Sequence, residues 1–181
     1  MLKEIYQVQA TAELVFSEQE VEAALDSMAE AINKELENSN PLVLCVLNGG
    51  IVVAGKLLTR LTMPLTVDGI NASRYQNKTA GGEISWLLKP SESLKDRTVL
   101  IIDDVLDAGI TLAALREYCL SEGASVVYTA VLLDKMLGIE KPILADFVGL
   151  NVVDRYIFGY GMDYKGYLRN APGIYACTID R

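Results

Sequence analysis

Residues 99–112 read VLIIDDVLDAGITL. An apolar run ends on Asp103 and Asp104, and Asp107, Gly109 and Thr111 follow directly. Unbroken apolarity over a few residues marks a strand covered on both faces. An unpaired carboxylate is costly to bury, so two acids ending such a strand belong where solvent, metal or ligand meets them. Side chains alternate along a strand, which sends Asp103 and Asp104 to opposite sides. Asp107-Ala108-Gly109-Ile110-Thr111 then opens a helix, whose free backbone N–H groups and dipole suit a phosphate. Gly109 permits close approach and Thr111 adds a hydroxyl. Carboxylates accept hydrogen bonds from vicinal hydroxyls, hold Mg²⁺ directly or through water, and favour a cationic sugar in a transition state. Taken in pieces, D-D or D-x-G-x-T reads rather as an acidic loop with Asp107 capping a helix. Taken whole, the string describes a receptor for a sugar bearing a diol and a phosphate.

The pattern extends outward from this strand. Ser17 to Glu20 fits a capping box ahead of Val21, Leu25, Met28 and Ile32 at helical spacing. That helix fades in the polar run 35–40, and Pro41 closes it. LVLCVL (42–47) reads as a second buried strand, Asn48-Gly49-Gly50 as a turn, and 51–61 as a helix. A strand over 65–72, a polar loop over 73–95 containing Gly81-Gly82, a strand over 98–103, a helix over 110–122 and a strand over 126–133 follow. From Lys135 on, short apolar pieces alternate with turns. This alternation predicts an α/β fold, a mostly parallel sheet flanked by helices, in a single domain of 181 residues. Ligands bind such sheets at the carboxyl ends of strands, which selects 47–50 and 103–111. Loops as long as 73–95 are usually functional or disordered.

Composition narrows the chemistry. Apolar residues make up 51% of the chain, too many for disorder. Histidine is absent, which removes Ser-His-Asp and Cys-His nucleophiles and imidazole zinc sites. A metal here would be held by oxygen, which suits Mg²⁺. Cys45, Cys119 and Cys177 read as buried thiols rather than a disulfide framework. The net charge of −8 disfavours a nucleic-acid partner. No apolar run approaches the ~20 residues of a membrane span, and the opening MLKEIYQVQATAEL lacks a signal-peptide core, so a cytoplasmic chain with no membrane partner is expected.

VLIIDDVLDAGIT resembles the phosphoribosyl-diphosphate signature of type I phosphoribosyltransferases: apolar residues, two acids, two apolar residues, then D-x-G-x-T. The stretch DFVGLNVVDRYIFGYGMDYKGYLRNAPGIY (146–175) resembles the base-binding hood of the hypoxanthine-guanine branch. Leu132-Leu133-Asp134-Lys135 resembles its purine-reading strand end, and Leu47-Asn48-Gly49-Gly50 its diphosphate loop. The likeness runs from about residue 40 to 175, with the matches in order. It implies a core over about 40–134, a mobile lid loop over about 73–95, and a hood built from the N-terminal segment and about 135–181.

The resemblance implies transfer of the phosphoribosyl group from phosphoribosyl diphosphate to a 6-oxopurine in purine salvage. Asp103 and Asp104 would hold the ribose hydroxyls, partly through Mg²⁺, with Asp163 at a second Mg²⁺. Asp107 would be the acid–base group at purine N7, and Asp107, Ala108, Gly109, Ile110 and Thr111 would bind the 5′-phosphate. Leu47, Asn48, Gly49, the lid residue Tyr75 and Arg169 would meet the diphosphate, and the Leu47–Asn48 peptide can be cis in the family. Lys135 would donate to the 6-oxo group, Tyr156 would stack on the purine, and Ile157 and Asp163 would read its edge. Asn48, Ala108 and Ile110 depart from the family's common lysine, threonine and lysine, and Arg155 from a lysine. Read alone, Lys135 fits a solvated strand end, Tyr156 core packing, and Asp163 with Arg169 a surface ion pair. Family members form dimers or tetramers, which implies a homo-oligomer. Two alternatives share the pattern: a xanthine-preferring sister enzyme, and a regulator of this fold that binds nucleic acid. The acidic balance and the presence of Asp107 weigh against the regulator.

Overall fold

The computed structural model describes residues 1–74 and 84–178; Tyr75 and Gly81-Gly82 lie outside them. The chain runs α1 (Leu2–Thr11), β1 (Glu13–Phe16), α2 (Glu18–Leu36), β2 (Leu42–Val46), α3 (Ile51–Leu58), β3 (Thr66–Arg74), β4 (Ile84–Leu88), β5 (Thr98–Leu106), α4 (Ile110–Ser121), β6 (Val126–Met136), β7 (Phe147–Val153), β8 (Ile157–Phe158) and β9 (Ile174–Ala176). Six strands form one sheet in the order β4-β3-β2-β5-β6-β7. Every pairing in it is parallel except β3 with β4.

The continuous apolarity of β2 and β5 has the expected cause. Val43, Cys45, Leu100 and Ile102 face α2 and α3, packing with Val21, Leu25, Ile32, Val53 and Leu57. Leu42, Leu44, Val99 and Ile101 face α4, packing with Leu112, Leu115 and Cys119. Each such buried aliphatic side chain contributes about 1.5–3 kcal/mol. The capping box at Ser17 is formed in both directions, with the Glu20 backbone N–H donating to Ser17 and the Ser17 N–H donating to Glu20. Such a cap is typically worth about 1 kcal/mol.

A second, three-stranded sheet, β1-β9-β8, joins the two ends of the chain. The buried Ile5 and Val8 of α1 pack on Phe158 and Leu168 behind it. Among the described residues no helix is long and apolar enough to cross a membrane.

Several elements differ from the sequence reading. β5 does not stop at the acids; it runs through them to Leu106 because the ladder to β6 continues to Leu106↔Asp134. β6 likewise extends to Met136, placing Lys135 inside the strand. Part of the stretch read as a loop over 73–95 is strand β4, whose Trp86 ring packs 4.3 Å from that of Tyr118. β7 and α1 lie in segments read without regular structure. α3 ends at Leu58, three residues short of the expected bound. Cys45 and Cys119 are buried free thiols, whereas Cys177 is half-buried.

Candidate active site

The site is assembled where β2, β5 and β6 end. A cleft of about 380 Å³ there is lined by Leu47, Asn48, Gly49, Asp103, Asp104, Asp107, Lys135, Tyr156, Ile157, Asp163 and Arg169. A neighbouring recess of about 280 Å³ is lined by Asp103 and by Asp107 through Thr111. Every residue singled out from sequence for binding or catalysis, Tyr75 excepted, thus lines one or both cavities. Val46, Val105 and Met162 also line the cleft. Nothing in their apolar type had marked them out.

Asp103 and Asp104 are consecutive in a parallel-paired strand, so they leave it on opposite faces. Only Asp103 also lines the recess. Asp104 is 8% exposed. Burial, and the second carboxylate beside it, push the Asp103 carboxyl well above its ordinary range. Burial also raises Asp104. The Asp103 carboxylate accepts the Asp104 backbone N–H at 2.9 Å. Two adjacent buried acids whose ionisation is opposed in this way form a site short of positive charge. Beneath them, burial pushes the Cys45 thiol up to about 11, with the two acids adding to the effect.

That charge deficit is the test of the Mg²⁺ expectation, and the donor set fits a hard dication. Among the described residues no group of three or more histidine, cysteine or acidic side chains could hold a metal by itself. Mg²⁺ normally takes one or two carboxylates and completes its shell with water and substrate phosphate. Asp103 and Asp104 could supply the protein's share for one ion, and Asp163 for a second.

Downstream of the acids the chain turns at Gly109, whose φ of 78° is a left-handed conformation suited to glycine. Gly109 is the N-cap of α4, so the N–H groups of the first helical turn are left for a ligand at the recess.

Lys135 is 6% exposed, which rules out the solvated strand end. Its Nζ lies 3.6 Å from Asp107 Oδ1 and 3.9 Å from Asp154 Oδ1. Tyr156 stands at the cleft wall, edge-on to Tyr164 with ring centroids 5.4 Å apart. Asp163 and Arg169 form a 2.6 Å ion pair within the cleft rather than on an outer surface. Arg169 also donates to the Gly161 carbonyl at 2.5 Å and lies 4.0 Å from Asp104 Oδ2.

The two sheets meet along a seam of glycines. A methyl group on Gly49 would run into the Asp104 carboxylate. One on Gly161, whose φ is 105°, would run into the Gly49 carbonyl. The Leu47–Asn48 peptide is cis. Tyr160, beside the seam and 3% exposed, donates its hydroxyl proton to Glu22 on α2. Glu22 in turn pairs with Lys56 at 2.6 Å and Arg60 at 2.5 Å. The Lys56 and Tyr160 hydrogen bonds, with Arg60, hold the Glu22 carboxyl down at about 2. Neither Tyr160 nor Glu22 had been singled out from sequence, because their contact spans 138 positions.

Comparison with known proteins gives the same picture. The phosphoribosyl transferase domain model matches residues 12–165. The chain is 33% identical over 162 residues to a hypoxanthine-guanine phosphoribosyltransferase of Bacillus subtilis, covering 89% of this chain and 90% of that one. A protein of the same name from Lactococcus lactis is 32% identical over 166 residues, covering 91% of this chain and 90% of its own. The fold superimposes on a crystal structure of a hypoxanthine-guanine phosphoribosyltransferase from Bacillus anthracis with a TM-score of 0.85, at 28% identity, covering 91% of this chain and 97% of the other.

Proposed function

The chain belongs to the phosphoribosyltransferase family, and from that premise we propose that its cleft transfers the 5-phosphoribosyl group of phosphoribosyl diphosphate to hypoxanthine or guanine. The products are inosine or guanosine monophosphate and diphosphate, a purine-salvage reaction. The observation that carries this reading is the 3.6 Å spacing of Lys135 Nζ and Asp107 Oδ1 in one cleft with the acid pair. A 6-oxopurine protonated at N7 presents an acceptor at O6 and a donor at N7 on one edge. An ammonium and a carboxylate side by side complement that edge. Adenine would turn its 6-amino donor toward the ammonium and leave it unpaired.

In this reading N9 of the base bonds to C1′ of the sugar as the C1′–oxygen bond breaks and diphosphate departs with the electron pair. The N7 proton passes to Asp107. Asp103 and Asp104 accept the ribose hydroxyls and favour the cationic sugar that forms between bond breaking and bond making. The turn 107–111 and the start of α4 hold the 5′-phosphate. Arg169 and the 47–49 loop face the diphosphate, while Tyr156 and the backbone at Ile157 and Asp163 wall in the base. Mg²⁺ held by Asp103 and Asp104, with a second ion at Asp163, would supply the charge that makes diphosphate a competent leaving group. The small sheet acts as the hood. No step calls for a covalent nucleophile, which fits a chain without histidine. A cytoplasmic homo-oligomer, dimer or tetramer, is part of the same proposal, and light scattering reads its size.

The test is a steady-state assay of hypoxanthine, guanine, xanthine and adenine with phosphoribosyl diphosphate and Mg²⁺. Turnover of hypoxanthine or guanine far above adenine is expected. Activity confined to xanthine would move the assignment to the sister reaction. No turnover of any base, with tight salt-sensitive nucleic-acid binding instead, would point to the regulator.

A further inference from the structure

We propose that the part-buried Lys141–Asp134 ion pair is a positioning device that sets the spacing between Asp107 and Lys135, the two groups that meet the purine edge. This rests on the reading of those two residues given above. Lys141 Nζ lies 2.5 Å from Asp134 Oδ1 and donates to the Leu106 carbonyl at 2.9 Å. The two side chains are only 7% and 19% exposed. Leu106 immediately precedes Asp107, Asp134 immediately precedes Lys135, and Leu106 and Asp134 are register partners across β5 and β6. One ammonium therefore ties the Leu106 carbonyl to the Asp134 side chain, the residues immediately before the two base-reading ones.

The need for such a tie follows from the strands. β5 ends at Leu106, where the chain peels away into the phosphate turn, while β6 continues to Met136. At that divergence the Leu106 carbonyl receives its hydrogen bond from Lys141. The same segment floors the turn: a methyl group built on Gly109 would meet Ile143 Cγ2 at 3.3 Å and Lys141 Cβ at 3.5 Å. Lys141 and Asp134 line neither cavity, so they act through their neighbours and not on substrate. A buried ion pair contributes little net stability compared with apolar residues of the same volume, and its best-attested service is to fix one geometry among several. Catalytic groups are sensitive to such fixing, since a displacement of about 1 Å costs on the order of 10²-fold.

The experiment compares Lys141→Met, which keeps the chain length and deletes the ammonium, with Lys141→Met/Asp134→Leu, which also removes the carboxylate that would be stranded. Both are assayed below their measured unfolding temperatures. In each, kcat/KM for hypoxanthine should fall by on the order of 10²-fold, with Lys141→Arg recovering most of the loss. In an Asp107→Asn background, Lys141→Met should cost markedly less than it does in the parent, because one of the two groups it positions has already been removed. Should Lys141→Met be too unstable to assay, the charge-free double variant carries the test. Wild-type kcat/KM in the folded double variant, or a full additive loss in the Asp107→Asn background, would overturn the proposal. Absence of turnover in the unaltered protein would instead sink the reading of the cleft itself.

Discussion

Lys135 Nζ stands 3.6 Å from Asp107 Oδ1, although one residue lies within β6 and the other in the turn after β5. A donor and an acceptor brought this close from separate elements pair their charges. On the proposed reading, a base arriving between them would meet Asp107 at N7 and Lys135 at the 6-position. Asp154, 3.9 Å away, stays behind as a counterion for the lysine.

Replacing Asp107 by asparagine keeps the shape of the turn and removes the proton acceptor. Turnover of hypoxanthine should fall roughly 10²–10⁴-fold, the usual size of acid–base assistance. Phosphoribosyl diphosphate binding, read by calorimetry with Mg²⁺, should be largely intact, since the turn's backbone donors are unchanged. Wild-type turnover in this variant would take Asp107 out of its role.

Lys135→Ala should weaken 6-oxopurine binding by ~1–3 kcal/mol. The ratio of kcat/KM for hypoxanthine over adenine should shrink with it, because the group that rejects the 6-amino substituent is gone. An unchanged Michaelis constant for hypoxanthine would place the base elsewhere.

Asp103→Asn should separate stability from activity. Burial and the neighbouring Asp104 oppose ionisation of Asp103 in the ligand-free protein, so its charge costs stability near neutral pH. Removing it should raise the melting temperature of the free protein by about 2–4 °C for each kcal/mol recovered, while abolishing Mg²⁺-dependent turnover. A lowered melting temperature in the ligand-free variant would contradict this account of the acid pair.

Much of this arrangement was legible in the chain because it is written locally. The apolar runs of β2 and β5, the acids that tip β5 and the glycine turn before α4 are each contiguous and obey short-range rules. What stayed hidden depends on partners far away in sequence. The continuation of β5 past its acids is set by the ladder to Asp134, not by the acids' own preference for strand ends. β7 reads weakly because FVGLNVV carries a glycine and is only partly buried, its alternation blurred by position at the sheet's edge. Lys141 and Tyr160 look like ordinary residues until the fold brings Leu106 to one and Glu22 to the other.

Glu22 gives the protein an acid-sensitive joint. Its carboxyl sits at about 2 in the folded chain against an ordinary value of 4.5. A depressed carboxyl contributes its stabilisation above the unfolded value and loses it as pH falls from about 4.5 toward 2. The ceiling on that contribution is about 3 kcal/mol, reduced by solvent because the side chain is 26% exposed. Urea unfolding should show Glu22→Gln less stable than the parent at pH 7, with the gap closing across that acid window. A gap independent of pH would mean the pairing with Lys56, Arg60 and Tyr160 is not what the carboxylate supplies.

The glycine seam divides what can change in this protein from what cannot. With Gly161 against the Gly49 carbonyl and Gly49 against Asp104, neither position has room for even one added carbon. On the proposed reading, retuning for another base must therefore come from elsewhere in the lining, around Tyr156 and Ile157. Variation in base preference and constancy in sugar preference are, on this geometry, two outcomes of the same tight join.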